Sequence, residues 1–253
     1  MSQIWKKELE ETGMRLLSLV LPPVCVACHR IEGIIALNLG LCSECTSGLR
    51  PTPRTVCTGC SKPLAVDDPL PVGYHCSACR RDPPPFECLY SGWAYEPPLV
   101  EVIHALKFQR LSFLGADLGR ALSHRYRCLI EDVDLVVPVP LHWRRQVSRG
   151  FNQAEEIARP VANGLELPLV RALRRRSATP PQAALNRPSR ERNLRRAFIT
   201  TRAGLQRVRE SRVLLVDDVV TTRNTLAAAT QCLLKSGANS VICLTGGRTP
   251  EPI

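Results

Sequence analysis

The chain has 253 residues, 44% of them apolar, which is enough for a folded core and excludes disorder of the whole chain. Lysine and arginine outnumber aspartate and glutamate by 34 to 23, a net charge of +11 that favours polyanionic partners such as nucleic acid, nucleotides or pyrophosphate. The apolar stretch at 14–24 is interrupted by Pro22 and Pro23 and is shorter than the ~20 residues of a membrane span. We therefore expect a cytoplasmic protein without a transmembrane segment or secretory signal.

The first predicted element is an amphipathic helix at residues 3–21, within an N-terminal segment that we place at 1–23. Its apolar residues can share one broad face. They are Ile4, Trp5, Leu9, Leu16, Leu17, Leu19 and Val20. We expect this face to dock on the protein itself, and a membrane surface or a partner helix is the alternative.

A cysteine-rich module follows at 24–82. Eight of the twelve cysteines form four Cys-x-x-Cys pairs, namely Cys25/Cys28, Cys42/Cys45, Cys57/Cys60 and Cys76/Cys79. Each pair can present two thiolates to one ion, and two pairs complete a tetrahedral site, which predicts two structural zinc ions. Pairing in sequence order gives two successive zinc ribbons, which we favour, and an interleaved cross-brace fits the same spacings. The remaining cysteines, Cys88, Cys128, Cys232 and Cys243, are expected to be buried as small apolar residues.

An α/β domain is predicted at 86–253, after the linker formed by Pro83, Pro84 and Pro85. Strands are expected at 88–95, 134–140, 167–170, 212–217 and 240–245, and helices at 98–108, 112–126, 152–163 and 224–236. Residues 171–196 are expected to form a long loop with partial helix. Alternation of strands and helices predicts a mainly parallel sheet with helices on both faces.

The most informative motif is the acid pair, Asp217 and Asp218, which follows the apolar run 213–216. The carboxyl ends of parallel strands are where α/β sheets bind ligands. Adjacent carboxylates repel each other unless a cation or hydroxyl donors are near, and ribose hydroxyls with Mg²⁺ would satisfy both. The residues that follow place hydroxyls and backbone N–H groups at a helix start, which favours a phosphate. A helix cap or a generic Mg²⁺ site is the alternative interpretation.

The string at 213–225 resembles the phosphoribosyl-pyrophosphate motif of type I phosphoribosyltransferases. Further segments narrow the match, namely Lys107-Phe108, 138–142, 149–154, Gln182, Arg192-Asn193 and Ala197-Phe198. These segments resemble the ComF (competence protein F) family, and many members of that family carry a zinc module upstream. The resemblance covers roughly residues 17–246. It implies a type I phosphoribosyltransferase core behind the zinc ribbons, and a link to natural transformation and the handling of single-stranded DNA.

The resemblance also implies roles for individual residues. Asp217 and Asp218 would bind the ribose hydroxyls, with Arg149 as a cationic partner of the pyrophosphate. The 5-phosphate would be held by Thr221, Thr222, Arg223, Asn224 and Thr225, and Leu141, His142 and Lys107 would lie at the remainder of the ligand site. The reaction would displace pyrophosphate from C1 of the sugar, with Mg²⁺ and cationic side chains stabilising the leaving group.

The chain departs from the family pattern at Arg223, where a glycine is usual. Glycine tolerates a positive φ and lets the backbone approach a phosphate, whereas arginine can donate to the phosphate or occupy its place.

A second unusual feature is the stretch 171–196, which contains nine arginines and one acid, Glu191. It is expected to close over the substrate, to contact nucleic-acid phosphates, or to be a solvated basic loop.

Two functions follow from these features. One is a phosphoribosyltransferase-type enzyme that binds phosphoribosyl pyrophosphate with Mg²⁺. The other is a non-catalytic adaptor that senses a phosphorylated ligand and binds single-stranded DNA or a DNA-uptake helicase.

Overall fold

A computed structural model describes residues 24–31, 39–64, 73–176 and 197–250 of the chain. At its centre lies a four-stranded, fully parallel sheet with strands β1 (Cys88–Ala94), β2 (Leu135–Pro138), β5 (Arg212–Val220) and β6 (Ser240–Arg248). The strand order is β1-β6-β5-β2. Strands β3 (Leu173–Arg175) and β4 (Phe198–Thr200) form a separate antiparallel pair. The predicted N-terminal helix and the greater part of the arginine-rich stretch, 177–196, lie outside the described residues.

The helices fall into a short group and a long group. The short ones are α1 (Ser43–Ser47), α2 (Ser77–Arg81), α5 (Trp143–Arg149) and α7 (Arg202–Val208). The long ones are α3 (Leu99–Phe108), α4 (Phe113–Tyr126), α6 (Gln153–Leu165) and α8 (Asn224–Lys235), and a 3-10 turn covers Arg127–Leu129. Every long helix corresponds to one predicted from the sequence, and none of the described helices is long and apolar enough to cross a membrane.

Apolar side chains cover both faces of the sheet, which confirms the predicted doubly flanked arrangement. Alternate residues of a strand point to opposite faces, and along β5 Leu214 and Val216 join one core while Val213 and Leu215 join the other. The first core is closed by α3, α4 and α6, and the second mainly by α8. Both cores are therefore built on one sheet whose carboxyl edge carries the acid pair.

Strands β5 and β6 are longer than the sequence predicted. Their parallel ladder continues past the expected end of β5 at Asp217, since Val220 still pairs with Arg248. The acid pair consequently lies within the last four residues of β5 and is held by sheet hydrogen bonds. Residues 167–170 contribute only an isolated bridge, Val136 to Leu169, instead of the expected strand.

The expectation that four cysteines are buried is wrong for Cys128. It is exposed, because the chain turns there in the 3-10 segment instead of continuing the apolar face of α4. Cys243 is fully buried, and Cys88 and Cys232 are half-buried.

The zinc module packs directly against the α/β core. Leu39, Leu41 and Cys42 are at most 1% exposed and share the first core with Leu114 of α4. The segment between the two ribbons follows the outer edge of β1, where Pro51 bridges Trp93. This covering protects an edge strand whose backbone groups would otherwise be open to pairing with another chain.

Candidate functional site

The eight predicted metal ligands form two clusters in sequence order. Cys25, Cys28, Cys42 and Cys45 make up the first ribbon, and Cys57, Cys60, Cys76 and Cys79 make up the second. Within each cluster the sulfur atoms lie within 4.8 Å of one another. Separations of 3.7 Å between the Cys28 and Cys42 sulfurs and 3.8 Å between those of Cys60 and Cys76 match the edge of a tetrahedron with zinc–sulfur bonds of ~2.3 Å. The interleaved cross-brace does not occur, and the chain has two four-cysteine zinc sites.

The electrostatics of the second ribbon disfavour ionised thiols as long as no cation is bound. Burial and the neighbouring Cys60 raise the pKa of the Cys79 thiol, while the charge of Arg223 acts in the opposite direction. Four crowded thiols cannot all ionise unless a metal ion compensates their charge, and zinc binding deprotonates such ligands. The ion would thus contribute directly to the folding free energy of this module.

The acid pair divides its two carboxylates between the faces of the sheet. By strand alternation, Asp217 lies on the face of Leu215 and Asp218 on the face of Val216. Both side chains remain partly accessible. A ligand at the carboxyl edge of β5 can therefore meet one carboxylate from each face.

Lys107, at the end of α3, neutralises one member of the pair. Its Nζ lies 2.9 Å from Asp218 Oδ2, and the two side chains are only 19% and 15% exposed. The ion pair joins α3 to the end of β5, and the cation sits in the last turn of a helix, where positive charge is favoured. The structure thus brings together three residues that were predicted to share the site.

Asp217 has no ion pair of this kind among the described residues. Burial, and then the adjacent Asp218, raise the pKa of Asp217 to about 8, although the Asp218 backbone N–H, Lys107 and Arg175 act in the opposite direction. The Asp218 N–H donates to Asp217 Oδ1 at 2.9 Å. A carboxylate held among like charge is a natural place for hydroxyl donors or a divalent cation.

Residues 221–225, which we call the phosphate turn, connect β5 to α8. Thr221, Thr222 and Asn224 are exposed, and Thr225 is half-buried in the first turn of α8. Their hydroxyls and the free N–H groups at the start of the twelve-residue helix lie beyond the acid pair, in the arrangement expected for a phosphate.

Arg223 adopts φ 59° and ψ −14°, the left-handed conformation that the family glycine would adopt without strain. Its side chain reaches the second ribbon, and a contact of Arg223 with a phosphate stays a prediction. Arg223 Nη1 donates to Cys79 Sγ of the second ribbon at 3.0 Å.

The turn after β2 is the second predicted ligand-binding segment. The Val139 N–H donates to the Val216 carbonyl at 2.9 Å, and the Val139 carbonyl accepts from Asn152 Nδ2 at 3.0 Å. Asn152 also caps α6, since its Oδ1 accepts from the Ala154 N–H. Asn152 thus holds this turn against the start of α6, and the Val139 N–H holds it against β5.

The other predicted residues lie around this turn. Leu141 is half-exposed at the turn, and His142 is buried at the start of α5. Arg149 Nη1 donates to Gln153 Oε1 at 3.1 Å, and its guanidinium lies 5.1 Å from the centre of the Phe108 ring. Because Phe108 follows Lys107, this places Arg149 beside the end of α3. The ligand-binding roles of these residues stay predictions.

A cavity of about 580 Å³ separates the turn after β2 from the β3–β4 pair, and we call it the arginine cavity. Its lining includes Leu141, Glu155, Arg171, Arg174, Arg175 and Arg176, with Pro138, Pro140, Gln146, Asn152, Leu173 and Ile199. The carboxylate of Glu155 binds both Arg171 and Arg159, and it is 11% exposed. The sequence did not predict a role for Glu155, because a single glutamate within a helix belongs to no recognisable motif.

Two family models match the chain. A double zinc ribbon domain matches residues 16–80, and a phosphoribosyl transferase domain matches residues 148–248. The DNA utilization protein YhgH of Escherichia coli (strain K12) is 37% identical over 230 residues, which are 88% of this chain and 96% of that protein. Competence protein F of Haemophilus influenzae is 30% identical over 82% of this chain and 89% of its own length. The chain belongs to the ComF family.

A more distant ComF-family relative, the competence protein ComFC of Bacillus subtilis, is 26% identical over 78% of this chain and 79% of that protein. Membership confirms the resemblance predicted from the spaced motifs. It also confirms the fold class, a type I phosphoribosyltransferase core with a mainly parallel sheet, preceded by a double zinc ribbon.

Proposed function

We propose that this ComF-family protein binds phosphoribosyl pyrophosphate with Mg²⁺ at the carboxyl edge of β5 and acts in DNA uptake or utilization. The second part follows from the names of its relatives, which are a DNA utilization protein and competence proteins. The first part depends on the geometry of the acid pair and the phosphate turn.

The ligand proposal depends on one observation, namely that the two carboxylates lie on opposite faces of β5 and have different surroundings. Asp218 is held by Lys107 at 2.9 Å, whereas Asp217 has a raised pKa and the same strand leads within three residues to an open phosphate turn. A helix cap needs one side-chain acceptor, and it does not require a second carboxylate on the opposite face of the strand. A phosphorylated ribose requires hydroxyl acceptors next to a phosphate cradle, and this arrangement supplies both.

Magnesium fits this donor set, because Asp217 and Asp218 crowd two carboxylates together and Lys107 and Arg175 compensate their negative charge only in part. A divalent cation bound with the pyrophosphate would neutralise charge on the leaving group as the bond from C1 breaks. The cationic residues Lys107 and Arg149 lie on the same side of the sheet edge and would orient the phosphates.

Isothermal titration calorimetry of the zinc-loaded protein with phosphoribosyl pyrophosphate and Mg²⁺ tests the proposal. We expect saturable binding by wild type and at least 10-fold weaker binding by the isosteric Asp217→Asn/Asp218→Asn variant, because both sugar hydroxyls lose charged acceptors. Asp132→Asn is the matched control, since Asp132 is an exposed carboxylate outside the site. Absence of binding by wild type rejects the proposed ligand.

A second function, contact with single-stranded DNA, is favoured by the exposed guanidinium groups of Arg174 and Arg176 at the rim of the arginine cavity. Arg175, between them, lies 5.6 Å from the centre of the Phe198 ring, which fixes β3 against β4. The alternating pattern directs positive charge outward at one end of the site. Contacts of this kind bind backbone phosphates irrespective of sequence and weaken steeply with salt.

Fluorescence anisotropy with a labelled oligodeoxythymidine tests this contact. Arg174→Ala/Arg176→Ala should bind more weakly at 50 mM salt and show a salt slope lower by about one to two, because two phosphate contacts are lost. Arg202→Ala removes an exposed arginine outside the cavity and serves as the control. An unchanged slope in the double variant excludes this face from DNA binding.

A further inference from the structure

The residue that departs from the family motif also connects the two halves of the protein. Arg223 lies in the phosphate turn, yet its guanidinium donates to a zinc-ligating sulfur, Cys79, which is 144 positions away in the chain. The side chain is partly buried between the turn and the ribbon. This hydrogen bond can couple the conformation of the phosphate turn to the position of the metal ligand Cys79.

One knuckle of the second ribbon is hydrogen-bonded to the central sheet. The knuckle of Cys57 and Cys60 is attached to the sheet, because the Leu89 N–H donates to the Thr58 carbonyl at 2.8 Å and Arg248 Nε donates to the Cys60 carbonyl at 2.8 Å. Leu89 belongs to β1 and Arg248 ends β6. This knuckle is therefore held against β1 and β6.

The other knuckle, Cys76 and Cys79, reaches the phosphate turn. Arg223 of the turn donates to Cys79 of this knuckle. The segment that follows the knuckle, Asp82 to Pro85, lines a cavity of about 140 Å³ with Thr222, Arg223 and Asn224. The zinc ion would join the sheet-bound knuckle to the knuckle that contacts the turn. A continuous path thus runs from β1 and β6 through the metal to Arg223.

We propose that Arg223 is a positioning residue that hydrogen-bonds to a zinc-bound thiolate, and that zinc in the second ribbon holds the phosphate turn in its binding conformation. Partners of this kind orient metal ligands and tune metal affinity. The left-handed backbone at Arg223 supports this role, since a non-glycine residue with φ 59° is strained and persists only where surrounding contacts hold it. The effect on the ligand rests on the proposed function of the turn.

The proposal predicts reciprocal coupling between metal and ligand. If zinc favours the binding conformation of the turn, then a ligand bound at the turn must favour zinc by the same factor. The first ribbon has no described contact with the turn and packs on α4. It provides an internal reference for zinc release within the same molecule.

The direct test measures zinc release to a chromophoric chelator, with cysteine alkylation and mass spectrometry to distinguish Cys79 from Cys45. Arg223→Gly and Arg223→Asn both tolerate a positive φ and both remove the contact with sulfur. We expect zinc to leave the second ribbon about 10-fold faster in each variant and the first ribbon at the wild-type rate. Glu166→Gly, which relaxes another left-handed residue at the end of α6, controls for backbone strain.

The reciprocal test adds phosphoribosyl pyrophosphate and Mg²⁺ before the chelator. The ligand should slow release from the second ribbon in wild type and have no effect in Arg223→Gly. Wild-type rates of release in both Arg223 variants would overturn the proposal. If calorimetry finds no binding by wild type, the proposed function fails, while the release rates without ligand still decide whether Arg223 supports the zinc site.

Discussion

The acid pair should reduce the stability of the protein when no ligand is bound, and Asp217→Asn should relieve that cost. The folded state raises the pKa of Asp217 from 3.8 to about 8. Between these values the folded chain binds a proton that the unfolded chain does not, and stability falls as the pH rises. Below pH ~4 both states are protonated, and above pH ~8 the penalty is complete. Asparagine has no charge to lose and can still accept the Asp218 N–H.

The size of the effect follows from the same shift. Each pH unit in this window contributes at most ~1.4 kcal/mol, which sets a ceiling near 3 kcal/mol between pH 6 and pH 8. Asp217 is partly exposed to solvent, and the solvent screens its charge. We therefore expect Asp217→Asn to gain about 1 kcal/mol more over wild type at pH 8 than at pH 6.

Urea unfolding at the two pH values, with zinc in excess, measures this difference. Comparing variant with wild type at each pH removes the pH dependence of zinc binding, which both proteins share. Asp132→Asn, an exposed carboxylate, should show no such increase. An Asp217→Asn advantage that is equal at both pH values, or larger at pH 6, would refute the link between charge crowding and stability.

Three further outcomes are expected. In urea titrations at pH 8, Lys107→Met should lower the free energy of unfolding by about 2 to 3 kcal/mol, because Asp218 loses its partner in a mostly buried ion pair. Adding Asp218→Asn to this variant should restore part of the lost stability. Leu114→Ala should cost about 3 kcal/mol and increase zinc release from the first ribbon, since Leu114 lies against Gly40 and shares the first core with Leu41. Unchanged release would contradict the shared core. Zinc removal should lower the melting temperature of the whole chain in calorimetry, and an unaltered main transition would show that the ribbons fold separately.

The sequence predicted the long elements because their patterns are local. Apolar periodicity located the four long helices and the strands of the sheet within a few residues, and the spacing of the cysteines predicted two four-thiolate zinc sites. The ends of β5 and β6 were missed because each strand is extended by pairing with the other, which no local pattern records. The short helices at 43–47, 77–81, 143–149 and 202–208 were missed because each has fewer than two full turns of periodic sequence.

The sequence predicted which residues belong to the candidate site, but it did not predict how they are arranged or which contacts they make. The phosphoribosyl-pyrophosphate motif identified Asp217 and Asp218, but their division between two faces follows from their register within β5. The end of α3 was identified through Lys107, while its partner Asp218 became evident only from the 2.9 Å contact. Glu155 and Asn152 position neighbouring side chains through hydrogen bonds between elements, and such contacts leave no spacing rule in the chain.

Arg223 shows why a departure from a motif has to be judged in three dimensions. Considered along the chain alone, arginine in place of glycine indicates a phosphate site that is altered or blocked. In the fold, the backbone keeps the left-handed conformation of glycine and the guanidinium contacts Cys79 of the second ribbon. The strain of the left-handed residue is offset by a contact that glycine could not make. Because the zinc ribbons pack on the α/β core, the substitution is better explained as a connection between the second ribbon and the phosphate turn than as decay of the site.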